Sequence, residues 1–433
     1  MKERIAIIAG FRSPMTKAGG ALKNVTAHDF GARIVKEVVI RSKIDPNKID
    51  EVIIGNVAQP AEAANIARVI ALKAGLPEKI PAFTVHRNCA SGMEAMTTAT
   101  SKILNGEAEI ILAGGVESMS NIPLFFNKKM TAFFGNLFKA KTLKQKISTI
   151  LTFRPDFLAP VIGLVQGLTD PVSGLIMGCT AENVAKDFAI TRAEQDQFSL
   201  RSHQRAADAI AKGIFKEEII PVFNNDEKNS LMIEEDEGVR KNQKIEDLEK
   251  LKPYFEKNTG TVTVANSSQI TDGAAFAILM RESKAKELAK ELDFEILGYI
   301  REFAYAGLDP SRMGLGPVFA SAKVFEKSGL SLQDMELIEI NEAFAAQVIG
   351  CQRAFASDEF CQKHFGRNAF GEVNDEILNV NGGGVALGHP VGMSGARIII
   401  HLLRELKRRG KNRGLATLCI GGGQGGAVIA EVN

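Results

Sequence analysis

The chain passes twice through the same alternation of short apolar strand and amphipathic helix, once near each end. That repeat constrains its fold more than any single motif does. In the first segment Ile5 to Ala9 reads as a strand, and Ala27 to Ser42 has helical spacing with Asp29 early and Lys36 and Arg41 late, as the helix dipole favours. Glu51 to Asn56 follows as a strand, Ala64 to Ala74 as a helix and Glu109 to Ala113 as a strand. In the last segment Phe294 to Tyr305 reads as a strand, Pro317 to Ser328 as a helix, Leu337 to Ile340 as a strand, Ala345 to Ala356 as a helix and Leu415 to Ile420 as a strand. Such alternation predicts a largely parallel sheet with helices on both faces. Two copies of it predict two similar βαβ-type halves whose strand ends face one crevice. With 433 residues the chain exceeds what one core usually supports, so two or three domains are expected.

Three strings inside the repeats carry chemistry. Cys89 sits in Val85-His86-Arg87-Asn88-Cys89-Ala90-Ser91-Gly92-Met93-Glu94-Ala95, between a short strand (Pro81 to Val85) and a helical pattern. A thiol there would meet unpaired N–H groups and the positive end of the helix dipole, which lower its pKa and make it a nucleophile. Alone, the string fits a buried, small apolar cysteine equally well. His389 lies among glycines in Gly382-Gly383-Gly384-Val385-Ala386-Leu387-Gly388-His389-Pro390, just before a helical pattern from Met393 to Arg404. That position suits proton exchange, although a histidine can also merely close a loop. Cys419 ends a strand and opens the run Ile420-Gly421-Gly422-Gly423-Gln424-Gly425-Gly426, ahead of a last strand from Ala427 to Val432. The glycines match a dinucleotide fingerprint, but only seven residues follow Gly426. The helix, second strand and ribose-binding acid that the fingerprint requires cannot fit.

Composition narrows the class. Apolar residues make up 45% and charged residues 24%, and the net charge is +2, which gives no argument for nucleic acid. No run of about 18 apolar residues is present to span a membrane. Met1-Lys2-Glu3-Arg4 leads straight into the first strand, so no signal or transit peptide is expected, and a cytoplasmic protein is. The five cysteines are expected as reduced thiols. Cys351, Cys361 and His364 match no zinc spacing, so no metal is expected. Cys179, in a helix-opening string, is expected to be packed.

Between the repeats lies a different region, about residues 121–259. It holds a helical stretch from Ala181 to Lys212 and a charged run from Asn225 to Lys252 that reads as surface loops. Residues 121–155 contain no Asp or Glu and interleave Lys128, Lys129, Lys139 and Lys144 with phenylalanines and leucines. That is the composition of a basic amphipathic helix suited to an anionic membrane surface or a partner groove. It equally suits a flap packed on the protein's own body or on a second subunit.

Taken together, Asn88-Cys89-Ala90-Ser91-Gly92, Asn341-Glu342-Ala343-Phe344-Ala345, Gly388-His389-Pro390 and Cys419-Ile420-Gly421-Gly422-Gly423 resemble the four active-site motifs of the thiolase family. Supporting strings, among them Gly114-Gly115-Val116-Glu117-Ser118-Met119 and Met177-Gly178-Cys179-Thr180-Ala181-Glu182, run nearly the whole length. The resemblance implies the thiolase fold, αβαβα layers built from two core halves plus an inserted loop domain. It assigns 1–120 with 260–291 to the N-terminal core, 121–259 to the loop domain and 292–433 to the C-terminal core.

The implied activity is cleavage of a 3-ketoacyl-CoA by CoA through an acyl-cysteine, as in fatty-acid β-oxidation. Cys89 would be the nucleophile and His389 its activator, Asn341 would position a water, and Cys419 would be the acid/base. The N–H groups of Cys89 and Gly421 would hold the oxyanion. Ser268, Met177, Ala343 and Phe344 match positions that line the CoA tunnel. CoA and acyl-CoA are substrates, with no permanently bound cofactor. A homodimer or homotetramer is implied. The segment 121–155 resembles the thiolase subunit of fatty-acid-oxidation complexes, which would bring a hydratase–dehydrogenase partner subunit and membrane contact. Two features pull apart on the substrate. Ile176 replaces the histidine usual in short-chain enzymes, while Asn341 stands where the complex subunits commonly carry histidine. The alternatives are an acetyl-CoA acetyltransferase, a ketoacyl synthase (disfavoured by Cys419) and an inactive lipid carrier.

Overall fold

The computed structural model describes residues 3–224 and 230–433. The main strands are β1 (Ile5–Arg12), β2 (Glu51–Gly55), β3 (Ala82–Val85), β4 (Ile110–Ser118), β5 (Thr271–Arg281), β6 (Gly298–Gly307), β7 (Leu337–Ile340), β8 (Arg413–Ile420) and β9 (Gln424–Glu431). Together with the two-residue strand Thr16–Lys17 they form one ten-stranded sheet in the order β7-β8-β9-β6-β1-β5-β4-β2-β3. The sheet is mixed, which corrects the expectation of a largely parallel one. Only β2–β3, β2–β4 and β7–β8 run parallel, where a helical crossover returns the chain to the same edge. β8 and β9 are joined by three residues, Gly421 to Gly423, and a turn that short forces antiparallel pairing.

The two halves of the sheet meet only at a short seam, where Ile5 to Ile7 of β1 pair with Gly298 to Ile300 of β6. Between the half-sheets run α3 (Ser91–Leu104) and, after the helices introduced below, the long helix Val391–Arg408. Outside the N-terminal half lie α1 (Ala27–Ser42) and α2 (Ile66–Lys73). Past residues 121–176, with α4 (Lys128–Lys139) and α5 (Leu143–Ile150), come α6 (Met177–Asp187) and α7 (Arg192–Ala211). The C-terminal half is covered by α8 (Gly316–Ser328) and α9 (Ala345–Ala356), and Val391–Arg408 is α10. Three apolar cores follow from this stacking, one between the half-sheets and one under each outer helix pair. Five layers, αβαβα, result.

α10 is buried on nearly every side, although its sequence carries Arg397, His401 and Glu405 among the buried residues. Some of its buried polar groups are paired, whereas Arg397 Nε and Nη1 and Arg404 Nε have no hydrogen-bond partner among the described residues. His401 Nδ1 lies 2.9 Å from Glu218, which accepts from Arg12 at 2.6 Å, and Arg12 also grips Asp236 through two nitrogens at 2.7 and 2.8 Å. Burying one of these charges alone would be costly; burying them as a set leaves none uncompensated. Asp236 belongs to the charged run expected as surface loops. Residues 225–229 of that run lie outside the described residues, but Asp236 and Leu248 are buried.

Two other expectations change. The stretch Ala181 to Lys212 is two helices, because Ala189 adopts a left-handed φ of 49° and Thr191 forms a capping box with Glu194. The basic stretch is also two helices, broken where the Thr142 hydroxyl accepts the Gln145 N–H and Gln145 Oε1 accepts the Thr142 N–H in return, both at 3.2 Å.

α3 and α10 cross at glycines. A Cβ on Gly92 would stand 2.8 Å from the Gly392 carbonyl oxygen, and one on Gly115 would stand 2.0 Å from the same atom. Gly115→Ala must therefore displace backbone rather than a flexible side chain. The expected cost is about 1–3 kcal/mol or more, read as a lower urea midpoint with an unchanged slope.

Candidate active site

The loop after β3 delivers Cys89 two residues ahead of the first turn of α3. Its shape depends on Asn88, which takes a left-handed φ of 43° and donates from Nδ2 to the Gly421 carbonyl at 2.7 Å. Ser91 closes the loop by donating to the Asn88 carbonyl at 2.7 Å and accepting the Arg87 N–H at 2.9 Å. Cys89 is half-buried and lines a cavity of roughly 610 Å3 together with Val57, Ala58, Met119, Met177 and Gly421. The rest of that wall is mainly apolar and comes from residues 122–125 and 163–172.

The Cys89 thiol is pushed up from its ordinary value, against the expectation of a lowered pKa. Burial is the largest cause, and the nearby carboxylate of Glu117 adds to it. The N–H groups of Gly421 and of Cys89 itself pull the other way without winning. Low dielectric around a partly enclosed sulfur outweighs a helix terminus that begins two residues later. Those two N–H groups nonetheless converge on the sulfur, as an oxyanion site would require.

Cys419 ends β8 opposite Gly425 and is fully buried. Its thiol is held well above the ordinary value by burial, with the Cys89 thiol as the next cause. The glycine run that follows is the turn of a hairpin. Gly422 and Gly423 take φ of 87° and 75°, which an L side chain rarely adopts. No helix follows this run, so the dinucleotide reading is excluded.

His389 is buried. Its ring Nδ1 lies 2.6 Å from the Ser394 hydroxyl, which itself donates to the Pro390 carbonyl at 2.9 Å. With that hydroxyl proton committed, Ser394 accepts from Nδ1–H and leaves Nε2 as the bare, basic nitrogen. Burial and the Arg397 guanidinium hold the imidazole down to about 4, so it is neutral near pH 7. Asn341, just past β7, brings Nδ2 to 3.5 Å from the ring, and its buried Oδ1 has no hydrogen-bond partner among the described residues.

The first turns of α3 and α10 approach each other at the glycine crossing. The loop around Ser268 forms the next tier. The Ser268 N–H donates to the Ala343 carbonyl at 2.9 Å and the His389 N–H to the Gln269 carbonyl at 3.0 Å. Cys89, Gly421 and Met177 therefore line the cavity, Cys419 lies beside Cys89, and His389 pairs with Asn341. Cys419, His389, Asn341, Ser268, Ala343 and Phe344 are not among the residues that line the cavity, whereas Val391, two residues after His389, is.

Two buried glutamates escaped the sequence reading. Glu342 accepts from Ser202 at 2.6 Å, Asn379 at 2.9 Å and the Val385 N–H at 3.1 Å, which locks the glycine-rich loop onto the Asn341 string. Glu117 sits in an otherwise apolar strand and accepts from the loop after β2 and from α10. An acid inside a run such as Ile110 to Val116 was the available signal, since charges are seldom buried without a role or partners.

Models of the thiolase family match this chain almost end to end: "Thiolase, N-terminal domain" over residues 5–283 and "Thiolase, C-terminal domain" over residues 294–432. The chain is 42% identical over 432 residues to a protein of Vibrio cholerae serotype O1 named 3-ketoacyl-CoA thiolase, covering 99% of this chain and 97% of that one. Among solved structures, the Bacillus anthracis acetyl-CoA acetyltransferase aligns over 100% of this chain and 99% of its own, with a TM-score of 0.87 at 38% identity. Human mitochondrial 3-ketoacyl-CoA thiolase in complex with CoA aligns over 100% and 98%, with a TM-score of 0.84 at 35% identity.

The depressed pKa of His389 has a consequence for stability. The unfolded chain protonates this imidazole near the ordinary histidine value of about 6.5, whereas the folded chain does so only near 4. The unfolded state thus binds more protons in that window, and stability falls as pH drops from about 6.5 to 4. Glu117 and Glu339, raised to about 7, act in the opposite direction. Comparison with a variant isolates the histidine: His389→Phe should lose less stability than the natural chain between pH 7 and pH 5, measured by urea midpoints.

Proposed function

The chain belongs to the thiolase family, and on that premise we propose that it cleaves 3-ketoacyl-CoA with CoA in fatty-acid β-oxidation, through an acyl-cysteine at Cys89. It is an acyltransferase, and CoA and acyl-CoA are its substrates. The observation that carries the reading is the Cys89 thiol in the wall of an apolar cavity that Gly421, two residues after Cys419, and Val391, two residues after His389, also line.

His389 Nε2 takes the Cys89 proton as the sulfur attacks the 3-keto carbon. The C2–C3 bond then breaks, the acyl group stays on Cys89 and the electron pair leaves as an acetyl-CoA enolate. The Cys419 thiol protonates that enolate at carbon. The resulting Cys419 thiolate accepts the proton of an incoming CoA thiol, which takes the acyl group and frees Cys89. An ordinary thiol titrates only about 1–2 units above neutral, and burial, which holds Cys419 higher, keeps it protonated as the acid for the enolate. The N–H groups of Cys89 and Gly421 hold the oxyanion on the acyl carbon, and Asn341 with His389 holds the thioester oxygen of the enolate. Splitting the reaction at a covalent intermediate replaces one difficult step with two easier ones.

The cavity wall bears on the acyl chain. Ile122, Phe125, Leu164 and Leu168 give it an apolar lining, and each buried methylene contributes about 0.8 kcal/mol. That lining supports thiolysis of medium and long chains over condensation of two acetyl-CoA. The protein acts as a homo-oligomer in the cytoplasm. The exposed apolar and lysine side chains of α4 and α5, with Phe138 94% exposed, suit a hydratase–dehydrogenase partner or an anionic membrane surface.

Two measurements test the reading. Thiolysis of a C10 3-ketoacyl-CoA should exceed that of acetoacetyl-CoA at least tenfold in kcat/KM; the reverse order would favour the acetyltransferase. Cys89→Ala should abolish acyl labelling while keeping the fold, and Cys419→Ala should lower kcat about 10²–10⁴-fold, the usual scale of a lost acid/base. Labelling that persisted in Cys89→Ala would assign the nucleophile elsewhere.

A further inference from the structure

Glu117 is fully buried at the end of β4, and both of its carboxylate oxygens are occupied by donors. Oε1 accepts from the Ala58 N–H at 3.0 Å and from Asn56 Nδ2 at 3.2 Å. Oε2 accepts from the Gly392 N–H at 2.9 Å and from the Val57 N–H at 3.1 Å. Four donors and no acceptor specify an ionised carboxylate rather than a carboxylic acid, whose own proton would find no partner. The three segments it joins all bear on the site. Val57 and Ala58 form part of the cavity wall beside Cys89. Gly392 is in the first turn of α10, three residues after His389, and the cap residue Pro390 supplies no side-chain hydrogen bond to that turn. Glu117 therefore provides from another strand the anion that the terminus of α10 lacks locally. A Cβ on Gly392 would stand 2.7 Å from Glu117 Oε2, so glycine is what lets this terminus approach.

We propose that Glu117 is a positioning residue for the reaction: its carboxylate fixes the α10 terminus behind His389 and the Val57–Ala58 wall around Cys89, and its negative charge bears on the Cys89 side of the site. This rests on the thiolase reading of the same site. The charged and titratable groups that face it are Asp272, from β5, and the Cys89 thiol. Asp272 is itself held by the Ser120 N–H at 2.8 Å and by the hydroxyls of Ser118 and Ser120. Burial, the largest influence on Glu117, raises it to about 7 against the pull of its three peptide N–H groups.

The charge and the hydrogen bonds act on different observables, and that separates positioning from mere support of the fold. Glu117→Gln removes the negative charge beside Cys89 and also points an amide NH2 at N–H donors. At pH 8, alkylation of Cys89 by iodoacetamide, followed by peptide mass mapping, should become at least threefold faster. The kcat for thiolysis should fall at least tenfold. Opposite movements support the proposal. Two unchanged rates, or two rates that fall together, overturn it. Should Glu117→Gln not fold, Asn56→Ala deletes one donor to the carboxylate and spares the peptide N–H groups. It should shift upward the pH, near 7, at which Cys89 alkylation changes slope; an unmoved profile overturns the proposal. Failure of the natural chain to cleave any 3-ketoacyl-CoA would instead overturn the functional reading, because the alkylation profiles need no substrate.

Discussion

The crossing of α3 and α10 is the constraint from which the rest of the molecule follows. Each helix carries one half of the proposed reactive centre at its start, Cys89 before α3 and His389 before α10. The two starts can meet only if both helices enter the same layer and touch backbone to backbone. Glycines at 92, 115, 392 and 395 remove the atoms that would hold them apart. The two half-sheets close over this layer from either side and are joined through only three residue pairs of β1 and β6. Apolar packing around the buried helices therefore does most of the work of holding the halves together.

Burial has a chemical price at the same place. It pushes both thiols up and the imidazole down, so the resting site holds neutral groups rather than a thiolate–imidazolium pair. A neutral site suits an apolar acyl cavity, since no ion is stranded there without substrate. The ionised groups lie one step back. Glu117 and Glu342 each collect several donors and turn them into rigid links between segments far apart in sequence. The Arg12, Glu218, Asp236 and His401 cluster does the same on the other side of α10.

The reading from sequence succeeded where local pattern and local chemistry agree. Strand–helix periodicity marked most of the long elements, because the apolar faces of β1, α1, α8 and α10 are written at a fixed spacing, but it missed β5 and the helix Glu282–Leu292 that follows it. The glycine turn after Cys419 was recognised as no dinucleotide loop from the length of chain remaining. Periodicity failed at breaks made by side-chain caps, Thr142 and Thr191, which look like ordinary polar residues until their partners three residues on are seen to bond back. It also failed at the buried Asp236, whose partner Arg12 lies 224 residues away.

What the sequence by itself determined was the family, the two-fold repeat and the candidate site residues, because motif order and periodicity survive in one dimension. Strand direction, the raised thiols, the Nε2-basic tautomer of His389 and the link made by Glu117 were decided only by the tertiary structure. Each depends on distances and dielectric between segments that are remote along the chain. No local spacing encodes how deeply a sulfur is enclosed or which carboxylate ends up beside it.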